Sequence, residues 1–305
     1  MLNLSKTSQY ILRGFLFLSV SILFLSCATH PPSYPARTLS ESFATAEAVV
    51  PQWQPFAQGI GFFHGRTKVP EFEFWALKID LAAPSLQIVV KGGAEDTEGG
   101  TDRTLSVKVS SFVSANGLTA GINAAPFDIA TSKEGQPLKN IGIVVSGGRL
   151  ITPTNPRYDA LVFYKDGKAA IVNQAAIKST ENIENAVGGF HHILVNGEPA
   201  ERTLSRENRE PRSAAGISAD GKYLYLLVID GRRADSGGGT EKETALLLLA
   251  LGSWNGLNLD GGGSTALALR GADGKVRVVN TPVHGGIPGL ERAVAGCLGI
   301  AAVGF

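Results

Sequence analysis

The sequence predicts an α+β fold: a large mixed or antiparallel β-sheet system with a few packed helices, in a single domain. Three observations predict it. Short apolar runs separated by Gly-rich turns fill the chain from residue 72 onward, and only two stretches carry helical spacing. No internal repeat or composition break marks a second domain. The chain has 305 residues, 44% hydrophobic and 18% charged, which is enough for a large buried core.

The N-terminus reads as an export signal over residues 1–26. Lys6 and Arg13 form a basic start, and the apolar stretch 15–25 is broken only by Ser19 and Ser21. That stretch is shorter than the ~20 residues a membrane helix needs. It ends in Phe24-Leu25-Ser26-Cys27, similar to a bacterial lipobox with Phe24 where Leu, Val or Ile is usual. Cys27 is the expected lipidation site, and each buried CH₂ of such an anchor contributes about 0.8 kcal/mol. Residues 27–55 hold five prolines and form the expected tether, leaving 56–305 as the domain. With Cys27 lipidated, Cys297 is the one remaining thiol, which excludes an internal disulfide. It lies in an apolar run and reads as a small buried hydrophobe. Net charge is +1; without residues 1–26 the balance is 26 basic against 27 acidic residues. A nearly neutral body with no Lys/Arg run excludes general nucleic-acid binding.

The domain's elements follow in order. Trp75, Leu77, Ile79 and Leu81 alternate with Lys78 and Asp80, predicting a half-buried strand. Ala83-Pro84 turns into a second strand over 86–90, and 91–103 is a Gly- and acid-rich loop. Thr104 is placed to N-cap a helix with Leu105, Val109, Phe112 and Val113 at helical spacing, closed by Asn116-Gly117. Strands follow over 118–123 and 141–145, with hairpin turns at Gly147-Gly148 and Asp166-Gly167-Lys168. Gly221 separates strand 214–218 from the apolar strand 223–229. Thr240-Glu241-Lys242-Glu243 is a capping box opening a helix whose apolar face runs over 245–251. Residues 257–259 return as a strand.

Three polar clusters each follow or open a buried strand, where side chains reach a sheet edge. The first is Asn123 to Asp128, which turn chemistry alone also explains. The second is Pro211-Arg212-Ser213 with Asp230-Gly231-Arg232; two arginines supply the rigid donor forks that suit a phosphate. An Asp–Arg pair at a hairpin mouth accounts for it equally. The third is Asn258-Leu259-Asp260-Gly261-Gly262-Gly263-Ser264-Thr265. Three glycines lose much backbone entropy on folding, which suits a sharp bend or close approach to a ligand, and their N–H groups suit an anion. No Lys precedes Ser264, so this is no Walker loop, and Gly-x-Ser-x-Gly is absent.

Taken in order, Asn123, Phe127-Asp128, Pro211-Arg212-Ser213, Asp230-Gly231-Arg232, Thr240, Glu243, Ala245, the run 258–265 and Glu291-Arg292 resemble the phosphodiester glycosidase family. The resemblance spans about residues 72–305. Ala124-Ala125-Pro126, Ser213 and His284 depart from the family's usual residues, and bear on substrate choice more than on reaction type. The resemblance implies cleavage of a sugar–phosphate diester in an envelope or extracellular glycan, with no cofactor. A phosphate leaves readily as an anion, so a strong general acid matters less than in sugar–alcohol cleavage. On that basis Arg212, with Arg232 or Arg292 and the backbone of Gly261, Gly262, Gly263, Ser264 and Thr265, is expected to hold phosphate. Asp260 and Asp230 are expected to act on water or the anomeric carbon, and Asn123 and Asp128 on sugar hydroxyls or those carboxylates. Glu243 is explained by its capping box, and His191 and His284 are further candidates. The sequence has no tight His/Cys cluster for a metal, while oxygen-only calcium binding stays open. A non-catalytic, glycan-binding envelope lipoprotein of the same fold is the alternative; the presence of both Asp230 and Asp260 favours the enzyme.

Overall fold

A computed structural model describes residues 51–91 and 103–302, together with the backbone of Arg37–Thr38. The export segment, Cys27, most of the tether and the centre of the 91–103 loop lie outside the described residues. Strand Glu71–Asp80 shows how the layers are arranged. Phe72, Phe74 and Ala76 enter one core with Leu227, Ile229, Leu247 and Leu248, whereas Leu77 and Ile79 enter another with Ile122, Leu257 and Leu298. The alternation predicted a half-buried strand; the strand is instead covered on both faces, because it lies inside a nine-stranded sheet sandwiched between other layers. Its second face carries Phe and Ala where a solvated face would carry polar residues.

The nine-stranded sheet includes Ile60–Lys68, Glu71–Asp80, Tyr223–Ile229, Arg212–Ile217, Asn255–Asn258 and His191–Val195 as neighbours in that order. One face is covered by a helix late in the chain, α2 (Glu241–Leu251). The other packs on two five-stranded sheets. One of these contains Leu267–Arg270, Ala120–Asn123, Cys297–Ala301 and Gln87–Val90; the other contains Val144–Ser146, Ile183–Gly188 and Asp159–Tyr164. A short helix, α1 (Val109–Ala115), covers the outside of the first through Val109, Phe112 and Val113 against Ala268 and Cys297. Each fully buried Leu, Val or Phe contributes about 1.5–3 kcal/mol. Ladders among the described strands are antiparallel except for the short Arg37–Thr38 pairing. The α+β class and single domain expected from the sequence hold.

Local chemistry accounts for the element ends. The capping box forms as expected: Thr240 Oγ1 accepts from the Glu243 N–H at 3.1 Å, and Glu243 Oε2 accepts from the Thr240 N–H at 2.9 Å. Gly252 ends the helix at φ 112°. Both predicted hairpin turns are present, Ser146 pairing Arg149 and Phe163 pairing Ala169. Thr104 does not cap α1, which starts after Lys108. It lies in strand Arg103–Leu105, buried, with its hydroxyl donating to the Ala295 carbonyl at 2.8 Å. Only Val109, Phe112 and Val113 of the apolar spacing are helical. Asn116-Gly117 closes α1 as predicted.

The registers bring the polar clusters together. Arg212 pairs Ile229, Ala214 pairs Asn258, and His191 also pairs Asn258. The exit of 223–229, the entry of 212–217 and the exit of 255–258 therefore share one edge of the large sheet. Asn123, pairing Cys297, ends a strand of the neighbouring sheet. Cys297 is buried, and burial pushes its thiol up to about 12, so it is the inert residue expected.

Candidate active site

The 260–265 loop crosses from one sheet to the next. Leu259 still donates to the Ser213 carbonyl in the large sheet at 3.0 Å, and Asp260 donates to the Ala124 carbonyl at 3.0 Å beside the second. One 3₁₀ turn, Gly262–Ser264, follows before strand Leu267–Arg270. The sequence assigned the loop's N–H groups to phosphate. In the structure three of these amides are taken up within the turn: the N–H of Gly262 donates to Pro211, that of Ser264 to Gly261 and that of Thr265 to Gly262. A sharp turn satisfies its own amides first, because leaving them unpaired costs free energy.

The glycines instead admit two arginine heads. Gly262 has φ +58°, and a Cβ there would stand 3.0 Å from Arg232 Nη2. A Cβ on Gly263 would stand 2.4 Å from Arg292 Nη2, and that guanidinium cannot simply swing away. Its Nε donates to His284 Nδ1 at 3.0 Å and its Nη1 to Ser264 Oγ at 3.1 Å. Gly261 is packed on Pro211, whose carbonyl oxygen would lie 2.8 Å from a Cβ. Arg232 is half exposed, with Nε donating to Glu210 at 2.7 Å.

Asp260 lies within this arginine frame and keeps partial exposure to solvent. Burial raises its carboxyl to about 6, against the Ser264 hydroxyl, the Arg292 charge and the Gly261 N–H, which favour the anion. His284 accepts from Arg292 and is therefore neutral at Nδ1; burial and the Arg292 charge both hold it below the usual imidazole value. The result is a carboxyl raised toward neutrality beside a hydroxyl and a guanidinium, on a partly exposed residue.

Asp230 is differently placed. It is 1% exposed, and burial raises it to about 6 as well. Its oxygens accept from Asn280 Nδ2 at 3.0 Å, from the Thr281 N–H at 3.0 and 3.1 Å, and from Arg233 Nη1 at 2.7 Å. Asn280 also donates to the Thr265 carbonyl at 3.1 Å. Asp230 thus braces the glycine loop through Asn280, and both of its oxygens already accept from protein donors. Its arginine partner is Arg233 and not Arg232, whose backbone sits at φ +60° and turns the side chain toward Gly262.

The remaining expected residues divide between bracing and a second cluster. Asn123 is fully buried: Nδ2 donates to the Asp260 carbonyl, while Oδ1 accepts from Ser213 Oγ at 2.7 Å and the Ala266 N–H at 3.1 Å. It holds the loop from within. Asp128 accepts from the Lys139 N–H at 3.0 Å and lies 3.5 Å from Arg103 Nη1, bracing the 124–137 loop. Glu243 adds a two-pronged contact with Arg209 to its capping box. Arg212 is buried; Nε donates to Gly239 and Nη2 to Asn208, both at 2.9 Å, and Nη1 faces Glu241 at 3.8 Å. His191 hydrogen-bonds the same Glu241 at 2.8 Å. Burial pushes the Glu241 carboxyl up, but His191, Arg206 and Arg212 outweigh it and hold it below the usual range. Sequence reasoning missed Glu241, Asn280 and Arg233. Asn280-Thr281 following a strand, as Asn123 and Asp260 do, was the available signal for one of them. No group of three or more His, Cys, Asp or Glu side chains fit to hold a metal occurs among the described residues.

The family model of phosphodiester glycosidases matches residues 116–301, and the chain belongs to that family. In fold it is similar to the zebrafish N-acetylglucosamine-1-phosphodiester alpha-N-acetylglucosaminidase catalytic domain, auto-inhibited by its pro-peptide. The TM-score is 0.58 at 19% identity, over 84% of this chain and 87% of that one. A Synechocystis protein aligns with TM-score 0.59 and 14% identity, over 86% and 67% of the two chains. A Burkholderia pseudomallei protein aligns with TM-score 0.54 and 16% identity, over 76% and 74%. No curated protein matches in sequence.

Proposed function

We propose that this protein hydrolyses the glycosidic bond of a sugar-1-phosphodiester, releasing free sugar and a phosphomonoester. One observation carries the reading: Asp260, raised to about 6 on a partly exposed residue, lies beside Arg292, with Arg232 on the other side of the same loop. The two guanidinium groups take the phosphate oxygens, and their charge stabilises the phosphate as it departs. Asp260 faces the anomeric carbon, where it takes a proton from the attacking water. The C–O bond to phosphate breaks, its electron pair leaves on phosphate, and the water oxygen becomes the sugar's anomeric hydroxyl. Asn123, Asp230 and Asn280 keep the loop in register for this step. The likeness to a domain named for an N-acetylglucosamine-1-phosphodiester supports the linkage. Residues 1–26 and Cys27 extend the proposal to place: an exported, lipid-anchored protein acting on an envelope or extracellular glycan.

Hydrolysis of a sugar-1-phosphodiester in ¹⁸O-water tests the bond cleaved. The label is expected on the anomeric oxygen; label in phosphate overturns the reading, because water would then have attacked phosphorus. Labelled fatty acid is expected on the wild-type protein and absent from Cys27→Ser, and its absence from both removes the anchor.

A further inference from the structure

A polar cavity of about 310 Å³ opens beside the loop on the α2 side of the large sheet. Its floor is the buried trio Arg212, Glu241 and His191 described above, together with Asn258. Its rim carries the exposed side chains of Arg157, Arg202 and Arg206. The cavity thus holds four guanidinium groups against one carboxylate. Arg206 reaches Glu241 at 3.2 Å, but Arg157 and Arg202 enter no salt bridge among the described residues. Arginines gathered without acidic partners repel one another, so the arrangement favours an incoming anion.

Two further features define the ligand. Asn258 is 4% exposed, and its Oδ1 is buried without a hydrogen-bond partner. A buried acceptor left unmade costs about 1–3 kcal/mol, and a sugar hydroxyl would satisfy it. Tyr158 and Phe190 meet edge to face at 6.1 Å on the cavity wall, giving an apolar surface of the kind a sugar ring rests on. The cavity also adjoins the proposed catalytic loop. Asn258 ends its strand two positions before Asp260, where the chain bends into the loop. The Cα of Arg212 lies 3.8 Å from where a Cβ on Gly261 would stand.

We propose that this cavity is a second anion subsite, so that the substrate is a glycan carrying a further phosphate one sugar away from the cleaved linkage. The inference rests on the reading of the 260–265 loop as a phosphate site. Arg232 and Arg292 hold the phosphate of the scissile bond. Arg157, Arg202 and Arg206 hold the neighbouring phosphate, and Asn258 accepts from a hydroxyl of the sugar between them. A poly(sugar phosphate) has this spacing of charge, whereas a neutral polysaccharide offers nothing to the arginine rim.

Titration calorimetry of the full chain with hexose 1-phosphate and hexose 1,6-bisphosphate tests the subsite without requiring turnover. A failed ¹⁸O experiment therefore leaves this result readable. The bisphosphate should bind at least about tenfold tighter, the size of one charge-assisted contact. In the double variant Arg157→Gln/Arg202→Gln that ratio should fall to near one. A control removing two exposed charges elsewhere, Lys165→Gln/Lys168→Gln, should keep the wild-type ratio. Equal binding by the wild type, a ratio that survives in the rim variant, or one lost equally in the control overturns the proposal. No binding of either sugar phosphate overturns it too.

Discussion

Asp230 and Asp260 stand at the ends of strands on one sheet edge, each near an arginine, each with a carboxyl raised to about 6. By titration alone they are twins. Their partners separate them. Asp230 receives Asn280, the Thr281 amide and Arg233, and is sealed from water. Asp260 receives a hydroxyl and one amide and keeps partial exposure. A displaced pKa therefore marks burial, and it marks chemistry only where acceptor positions and space remain.

The largest expected effect breaks the pair apart directly. Asp260→Asn should lower kcat by about a thousandfold, the range of a lost general base, with the denaturation midpoint unchanged or raised. Near-wild-type turnover in the folded variant would return Asp260 to the status of a turn residue. Asp230→Asn should act on stability instead, costing about 2–4 kcal/mol in urea unfolding as the Arg233 pair and one amide contact are lost. If it removed turnover with unfolding unaffected, the distinction between the two carboxylates would collapse.

Smaller effects sharpen the picture. Arg292→Lys should reduce kcat/KM for phosphodiesters by about 1–3 kcal/mol, since Lys keeps charge but loses the planar fork held by His284 and Ser264. An aryl glycoside, having no phosphate, should show little change. With Asp260 as base, kcat/KM should rise about tenfold per pH unit up to about 6 and then level. Stability has the opposite sign. The folded protein favours protonated Asp260, so that contribution is complete below the ordinary value of 3.8 and lost as pH rises through about 6. Asp260→Asn should remove this part of the pH dependence of the melting temperature. Least affected should be Glu243→Gln, with kcat unchanged and about 1 kcal/mol lost from the cap and the Arg209 contact.

Much of the frame was legible in the sequence. The α+β class, the capping box, both hairpin turns and the strands feeding the polar clusters follow from short-range chemistry. What failed depends on partners far along the chain. Thr104 has a capping residue's identity, but Ala295 claims its hydroxyl from 191 residues away. Strand 71–80 is buried on both faces because α2, more than 150 residues later, covers the second. Asp230 looked paired with Arg232, the nearer arginine, until the φ of +60° at that residue turned it elsewhere. The glycine run stood out in the sequence, but the two arginine heads packed against Gly262 and Gly263 come from other segments and did not. Glu241 was hidden by its position inside the capping box, where an acid at a helix start needs no further explanation.

The Asn123 strut has a consequence for how the protein fails. Through one carboxamide it fastens the 260–266 crossover to strands of both the large sheet and its neighbour. The loop can then open only if the two sheets part, so it has no private melting of its own. Amide exchange at Ala266 should proceed at the slow rate set by global unfolding, unlike that of most surface loops. Heat should extinguish activity and secondary structure together, with no earlier inactivation step; Asn123→Ala should uncouple the two, loosening the crossover while the sheets still stand.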